Sequence, residues 1–128
     1  MFERLFRRRP APLALRGAPP IRRQKTYSAQ TGFVYQYYYE GYRAVPRGSE
    51  YVFQVTAGRQ PASPLTVLVE TAAVETWQQA HGRDLTATEQ YAAAKMALFQ
   101  AFDERAELGA VEVGAGAIEG LLGSLEIE

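Results

Sequence analysis

Three runs of strict alternation constrain this chain more than any other feature. "FVYQYYYE" sends Phe33, Tyr35, Tyr37 and Tyr39 to one side of an extended backbone and Val34, Gln36, Tyr38 and Glu40 to the other. "YVFQVTA" separates Tyr51, Phe53 and Val55 from Val52, Gln54 and Thr56. "LTVLVE" separates Leu65, Val67 and Val69 from Thr66, Leu68 and Glu70. Gly41, Pro46 and Gly48, then "GRQPASP", mark the connections, and successive runs of period two predict an antiparallel meander with one core face and one wet face.

The period then changes to that of a helix. "TAAVETWQQAH" places Ala73, Val74, Trp77, Ala80 and His81 on one side, with Thr71 as the expected N-cap and Gly82 as a left-handed terminator. Thr86-Ala87-Thr88-Glu89 has the form of a capping box, in which Thr and Glu satisfy each other's free amides. Behind it, "ATEQYAAAKMALFQAFDERAE" carries Tyr91, Ala94, Leu98 and Phe102 as an apolar stripe, widened by Ala92 and Phe99. The final "GAVEVGAGAIEGLLGSLEIE" reads two ways. Ala110 to Val113 fits a short strand, and Ala117, Ile118, Leu121, Leu122 and Leu125 have helical spacing. Gly114, Gly116, Gly120 and Gly123 each weaken a helix by about 1 kcal/mol relative to Ala.

The expected fold is therefore α+β. A three- to four-stranded antiparallel β-meander precedes two or three helices packed on one face, around Phe53, Val55, Val67, Val69, Val74, Trp77, Tyr91, Leu98 and Phe102. At 128 residues, with 47% hydrophobic and 22% charged, the body is a single domain by size.

Charge divides the chain differently. Residues 1–25 hold eight basic groups against Glu3 alone, a net +7, while the other 103 residues hold six basic and thirteen acidic groups, a net −7. Pro10, Pro12, Gly17, Pro19 and Pro20 punctuate that first stretch too often for a long helix. It reads as an extended or partly disordered basic arm, with the domain at 26–128. The interrupted "APLALRGA" lacks the apolar run of a secretory signal, and no stretch approaches the ~18 apolar residues of a membrane span. Frequent Ala, Arg, Gly and Pro with only two lysines suggest a GC-rich bacterial genome, and a cytoplasmic protein is the expectation.

Several chemistries lack their residues. Without cysteine there is no disulfide framework, thiolate metal site or Cys nucleophile. The single histidine, His81, ends a helix with Asp84 as a local partner, which suits a turn better than a catalytic centre. "VEVGAGAIEG" misses the G-x-G-x-x-G dinucleotide spacing by one residue and lacks the βαβ unit that should follow. No metal, cofactor or catalytic residue is expected.

Two features fit the meander badly. Lys95 falls near the middle of the apolar arc, four residues from both Tyr91 and Phe99. A charge there either snorkels out, pairs with a carboxylate such as Glu40, or faces a tyrosine-lined cavity that holds an anion. Tyr38, on the Gln36–Glu40 side, and Tyr42, past Gly41, are rings that one core face cannot bury together with Tyr35, Tyr37 and Tyr39. Three functions follow as expectations. The first is a non-catalytic binding or accessory module that self-associates or binds a protein partner. A nucleic-acid binder would use Arg7, Arg8, Arg9, Arg22, Arg23 and Lys25 for phosphates and Tyr38 and Tyr42 for stacking. An anionic-ligand binder would use Lys95, Tyr91, Tyr38 and Tyr42.

Overall fold

The computed structural model of the protein describes residues 14–104 and 109–128. Arg7, Arg8 and Arg9, and the end of the second predicted helix beyond Glu104, lie outside the described residues.

The alternating runs form strands as their period demands. β1 (Lys25–Ser28), β2 (Val34–Val45), β3 (Gly48–Ala57) and β4 (Ser63–Glu70) pair consecutively and antiparallel. Two helices follow, α1 (Thr71–His81) and α2 (Ala87–Glu104), and then β5 (Ala110–Val113) and α3 (Ala115–Gly123). The sheet is five-stranded and mixed, in the order β1-β2-β3-β4-β5, with β5 parallel to β4. This corrects the purely antiparallel expectation of three or four strands. α1 and α2 carry the chain back along the sheet, so the returning strand enters in the direction of β4, as a crossover connection requires. Both readings of the C-terminal segment hold in turn, strand for Ala110–Val113 and helix for Ala115–Gly123.

Gly41 does not end a strand, contrary to the expectation. β2 runs on to Val45, and Pro46-Arg47 make the hairpin turn, with Val45 opposite Gly48. The register shifts between Tyr39 and Gly41, so one extra residue sits on β2 as a bulge. The shift resets the alternation. Tyr39 lies opposite Phe53 and Tyr42 opposite Tyr51, which returns Tyr42 to the core side, while Tyr38 stays opposite Gln54 on the other face.

The helices cover the side carrying Tyr35, Tyr37, Phe53, Val55, Leu65, Val67 and Val69, all buried. Trp77, Leu98, Phe102, Ile118 and Leu122 meet them from α1, α2 and α3 and are fully buried. Val74 and Tyr91 only reach the core's margin, and Ala73 takes the buried place on α1. Most of the aromatic cluster is ordinary packing. Tyr35 stacks on Phe102 at 4.3 Å, Tyr27 on Phe99 at 4.5 Å, and Tyr37 meets Phe99 edge-on at 5.8 Å.

Helix ends follow local chemistry with one exception. The Glu89 amide donates to Thr86 Oγ1 at 3.1 Å and the Thr86 amide to Glu89 Oε1 at 3.0 Å, which completes the capping box. Gly82 terminates α1 at φ 67°. Thr71, however, is already helical. Glu70 holds the N-cap position without a side-chain cap bond, its carboxylate accepting from Arg47 Nη2 at 3.1 Å, and the Thr71 amide donates to Arg47 O of the β2–β3 turn at 2.9 Å.

Candidate functional site

The basic segment before β1 supplies a wall of the site. Arg16 and Tyr42 exchange backbone hydrogen bonds of 2.7 and 2.9 Å, which fastens residues 14–23 as a strap along the free edge of β2. Gly41 permits that approach. At φ 131°, its missing Cβ would stand 2.7 Å from the Arg16 carbonyl oxygen and 3.1 Å from Leu15 Cβ. Arg22 makes the second fastening. Its Nη2 lies 3.2 Å from Glu40 Oε1 and donates to Oε2 at 3.3 Å, and its guanidinium carbon sits 5.3 Å from the centre of the Tyr38 ring. Glu40, the extra residue of the bulge region, thus pairs with Arg22 rather than with Lys95.

Between this strap and α2 lies a pocket of about 340 Å³. Pro19, Pro20 and Ile21 form one side, Tyr37, Tyr38, Tyr39 and Tyr91 the other, and Arg23 and Lys25 complete the lining. Tyr39 and Tyr91 have ring centres 4.8 Å apart. Burial pushes the hydroxyl pKa up in Tyr37, Tyr39 and Tyr91, so all three remain neutral hydroxyls, able to donate, well beyond neutral pH.

Lys95 stands behind this lining, one turn after Tyr91. Its Nζ is 5.9 Å from the Tyr91 ring centre and 6.0 Å from that of Phe99. Burial, and then the nearby amine of Lys25, hold its pKa below the ordinary lysine value. Among the described residues, none forms an ion pair with Arg23, Lys25 or Lys95, and no carboxylate lines the pocket. Two amines therefore lie near each other beside neutral hydroxyls and aromatic rings, with no counter-ion among the described residues.

The structure therefore brings Lys95, Tyr91 and Tyr38 to one neighbourhood, together with Arg23 and Lys25 from the strap and β1. It does not bring Tyr38 and Tyr42 together. Tyr42 packs on Tyr51 at 5.7 Å on the helix side, and Tyr38 lies under Arg22 on the other face. A shared stacking platform for bases is not presented by these two rings. Sequence reasoning missed Tyr37, Tyr39, Pro19, Pro20 and Ile21 as lining, because strand alternation marks Tyr37 and Tyr39 only as core. It also missed Lys25 as the neighbour of Lys95, since the two are seventy residues apart.

The remaining titratable groups belong to the frame. His81 Nε2 lies 2.6 Å from Glu119 Oε1, not beside Asp84, and its ring stacks on Trp77 at 4.1 Å. Gly114 serves as the N-cap residue of α3, with the Glu70 carboxylate beside it where a phosphate-binding loop would need open space. Among the described residues there is no cluster of His, Asp or Glu that could hold a metal ion. No described helix is long and apolar enough to cross a membrane. Compared with known protein families, curated proteins and solved structures, the chain matches none of them.

Proposed function

We propose that the protein is a non-catalytic binding module that takes a small organic anion in the pocket between the strap and α2. The observation that carries this reading is the meeting of Lys25 and Lys95 without a carboxylate, beside a ring-lined cavity that also presents Arg23. Holding the half-buried Lys95 close to a second cation, the exposed Lys25, is unfavourable, and a resident anion would offset that cost. The pocket lies at the small end of ligand sites, about 300–1,000 Å³. Thermal unfolding against millimolar carboxylates, sulfonates and phosphates tests it, because a ligand that binds only the folded state raises Tm by mass action. At least one anion class should raise Tm, and Lys95→Met should abolish the shift. A Tm indifferent to every anion would sink the reading.

One observation favours a second reading, a module that self-associates or binds a protein partner. Phe33 and Val34, adjacent at the start of β2, are 39% and 47% exposed beside the four-residue edge strand β1. Sedimentation at high concentration tests the self-associating form, which a strict monomer excludes.

A further inference from the structure

We propose that the anion is an aromatic carboxylate, its head at Lys25 with the Lys95 charge behind it, and its ring against the strap prolines and the pocket tyrosines. This rests on the reading of the pocket as an anion site and names the ligand class from its walls.

The strap side of the pocket is apolar in a particular way. Pro19 and Pro20 have no backbone N–H, so two successive positions cannot contribute to the nest of amides that cradles a phosphate. Ile21 beside them is 65% exposed and adds only hydrocarbon. The opposite side is Tyr37, Tyr39 and Tyr91, whose rings favour a flat, stackable body. Phosphate recognition commonly uses arginine forks and converging amides, whereas the paired cations here are lysines, which act as point charges. Two point charges suit the two oxygens of a carboxylate. Arg23, at the exposed margin, is left to receive a polar substituent.

Proton balance gives a signature that mere hydrophobic adsorption lacks. Lys95 has Lys25 of β1 nearby and the Tyr91 ring of its own helix at 5.9 Å, while Tyr37 and Tyr39 of β2 line the pocket with Lys25 as neutral hydroxyls. A carboxylate placed there favours the ammonium form, so binding takes up protons at pH values above the lowered pKa of the empty site. Affinity accordingly falls as pH rises through that range.

The test is calorimetric titration of the full chain with 2-naphthoate, uncharged 2-naphthamide, acetate and inorganic phosphate, repeated at alkaline pH in two buffers of different ionisation enthalpy. The expected result is saturable binding of 2-naphthoate with proton uptake, and much weaker binding of the other three. Lys25→Met and Lys95→Met should each weaken 2-naphthoate by about tenfold or more, the loss of one charge-assisted contact. Far-ultraviolet circular dichroism and Tm of each variant separate lost binding from lost folding. Phosphate binding more tightly than 2-naphthoate, with the same lysine dependence, would overturn the aromatic class while leaving the anion site standing. Equal binding of 2-naphthamide would overturn the placement of the carboxylate at Lys25 and Lys95. Failure of every anion, across this titration and the Tm survey, would remove both.

Discussion

Arg83 and Lys95 are both cations over aromatic rings on one small domain, and their surroundings could hardly differ more. Arg83 lies 4.7 Å from the Trp77 ring centre, pairs with both oxygens of Glu89 at 2.9 and 3.0 Å, and donates to the Glu128 carbonyl at 2.9 and 3.1 Å. Every face of that guanidinium has work in holding α1, α2 and the C-terminal residues together. Lys95 has two rings and another amine. The contrast separates a cation supplied with acceptors from one beside a like charge and a cavity, which the proposed function reads as held for a ligand.

The Arg83 corner rests first on its aromatic support. Trp77 is fully buried between His81 and Arg83, so Trp77→Ala should cost about 3–5 kcal/mol in chemical denaturation. Its indole Nε1 is buried with no hydrogen-bond partner among the described residues, so Trp77→Phe should cost far less than Trp77→Ala. A mild Trp77→Ala would deny the Arg83 corner its structural role.

Next in size is the strap. Gly41→Ala would place a Cβ against the Arg16 carbonyl at a positive φ, a strain of about 1–3 kcal/mol. The strap should detach before the sheet unfolds, because its fastening is two backbone hydrogen bonds and one ion pair. Hydrogen exchange at the Arg16 and Tyr42 amides would rise while the amides of β3 stay protected. Loss of the whole sheet instead would show that the strap is part of the core.

Acid acts on the Arg83 side through Glu89. Arg83, then the Thr86 amide, hold the Glu89 pKa down to about 2, well under the ordinary carboxylate range. A lowered folded pKa contributes stability that is complete above the unfolded value near 4.5 and is lost as pH falls towards about 2. Denaturation across that window should therefore show wild type losing its advantage over Glu89→Gln.

The smallest effect has the opposite sign. Lys95 has a lowered folded pKa, so its charge penalises the folded state below that value, and the penalty fades as pH rises to the ordinary lysine range, about 10.4. Lys95→Met should raise Tm by a few degrees at neutral pH and by almost nothing near pH 11, while weakening anion binding. A variant that is destabilised at neutral pH would show that Lys95 has a structural partner after all.

Much of this was legible in the residues. The capping box at Thr86 and Glu89 is a local bargain between amides and side chains three positions apart, and it formed as read. The terminator at Gly82 and the core sides of β2, β3 and β4 also follow from nearest-neighbour chemistry, in which the side-chain period states which face is wet. Thr71 was misread because its amide is taken by Arg47 O, a partner twenty-four residues away. Tyr42 was misplaced because a bulge changes the parity of every residue beyond it, and Gly41 signals a turn and a bulge equally well. Of the candidate site, Lys95 and Tyr91 could be picked out as a charge and a ring on an apolar arc. Lys25 was picked out only as a phosphate contact of the arm, and neither its approach to Lys95 nor the proline wall could be read.

Sequence by itself determined the local architecture of this protein: four alternating or capped stretches whose periods leave little choice of strand or helix, and a lysine that no apolar stripe accounts for. Tertiary structure alone decided what that lysine faces. Periodicity reports how a residue sits relative to its neighbours along the chain, whereas the meeting of Lys25 with Lys95, and of the strap with Gly41, depends on register across the sheet and on the docking of α2. Those are long-range packing outcomes, set by the burial of the whole core rather than by any segment within it.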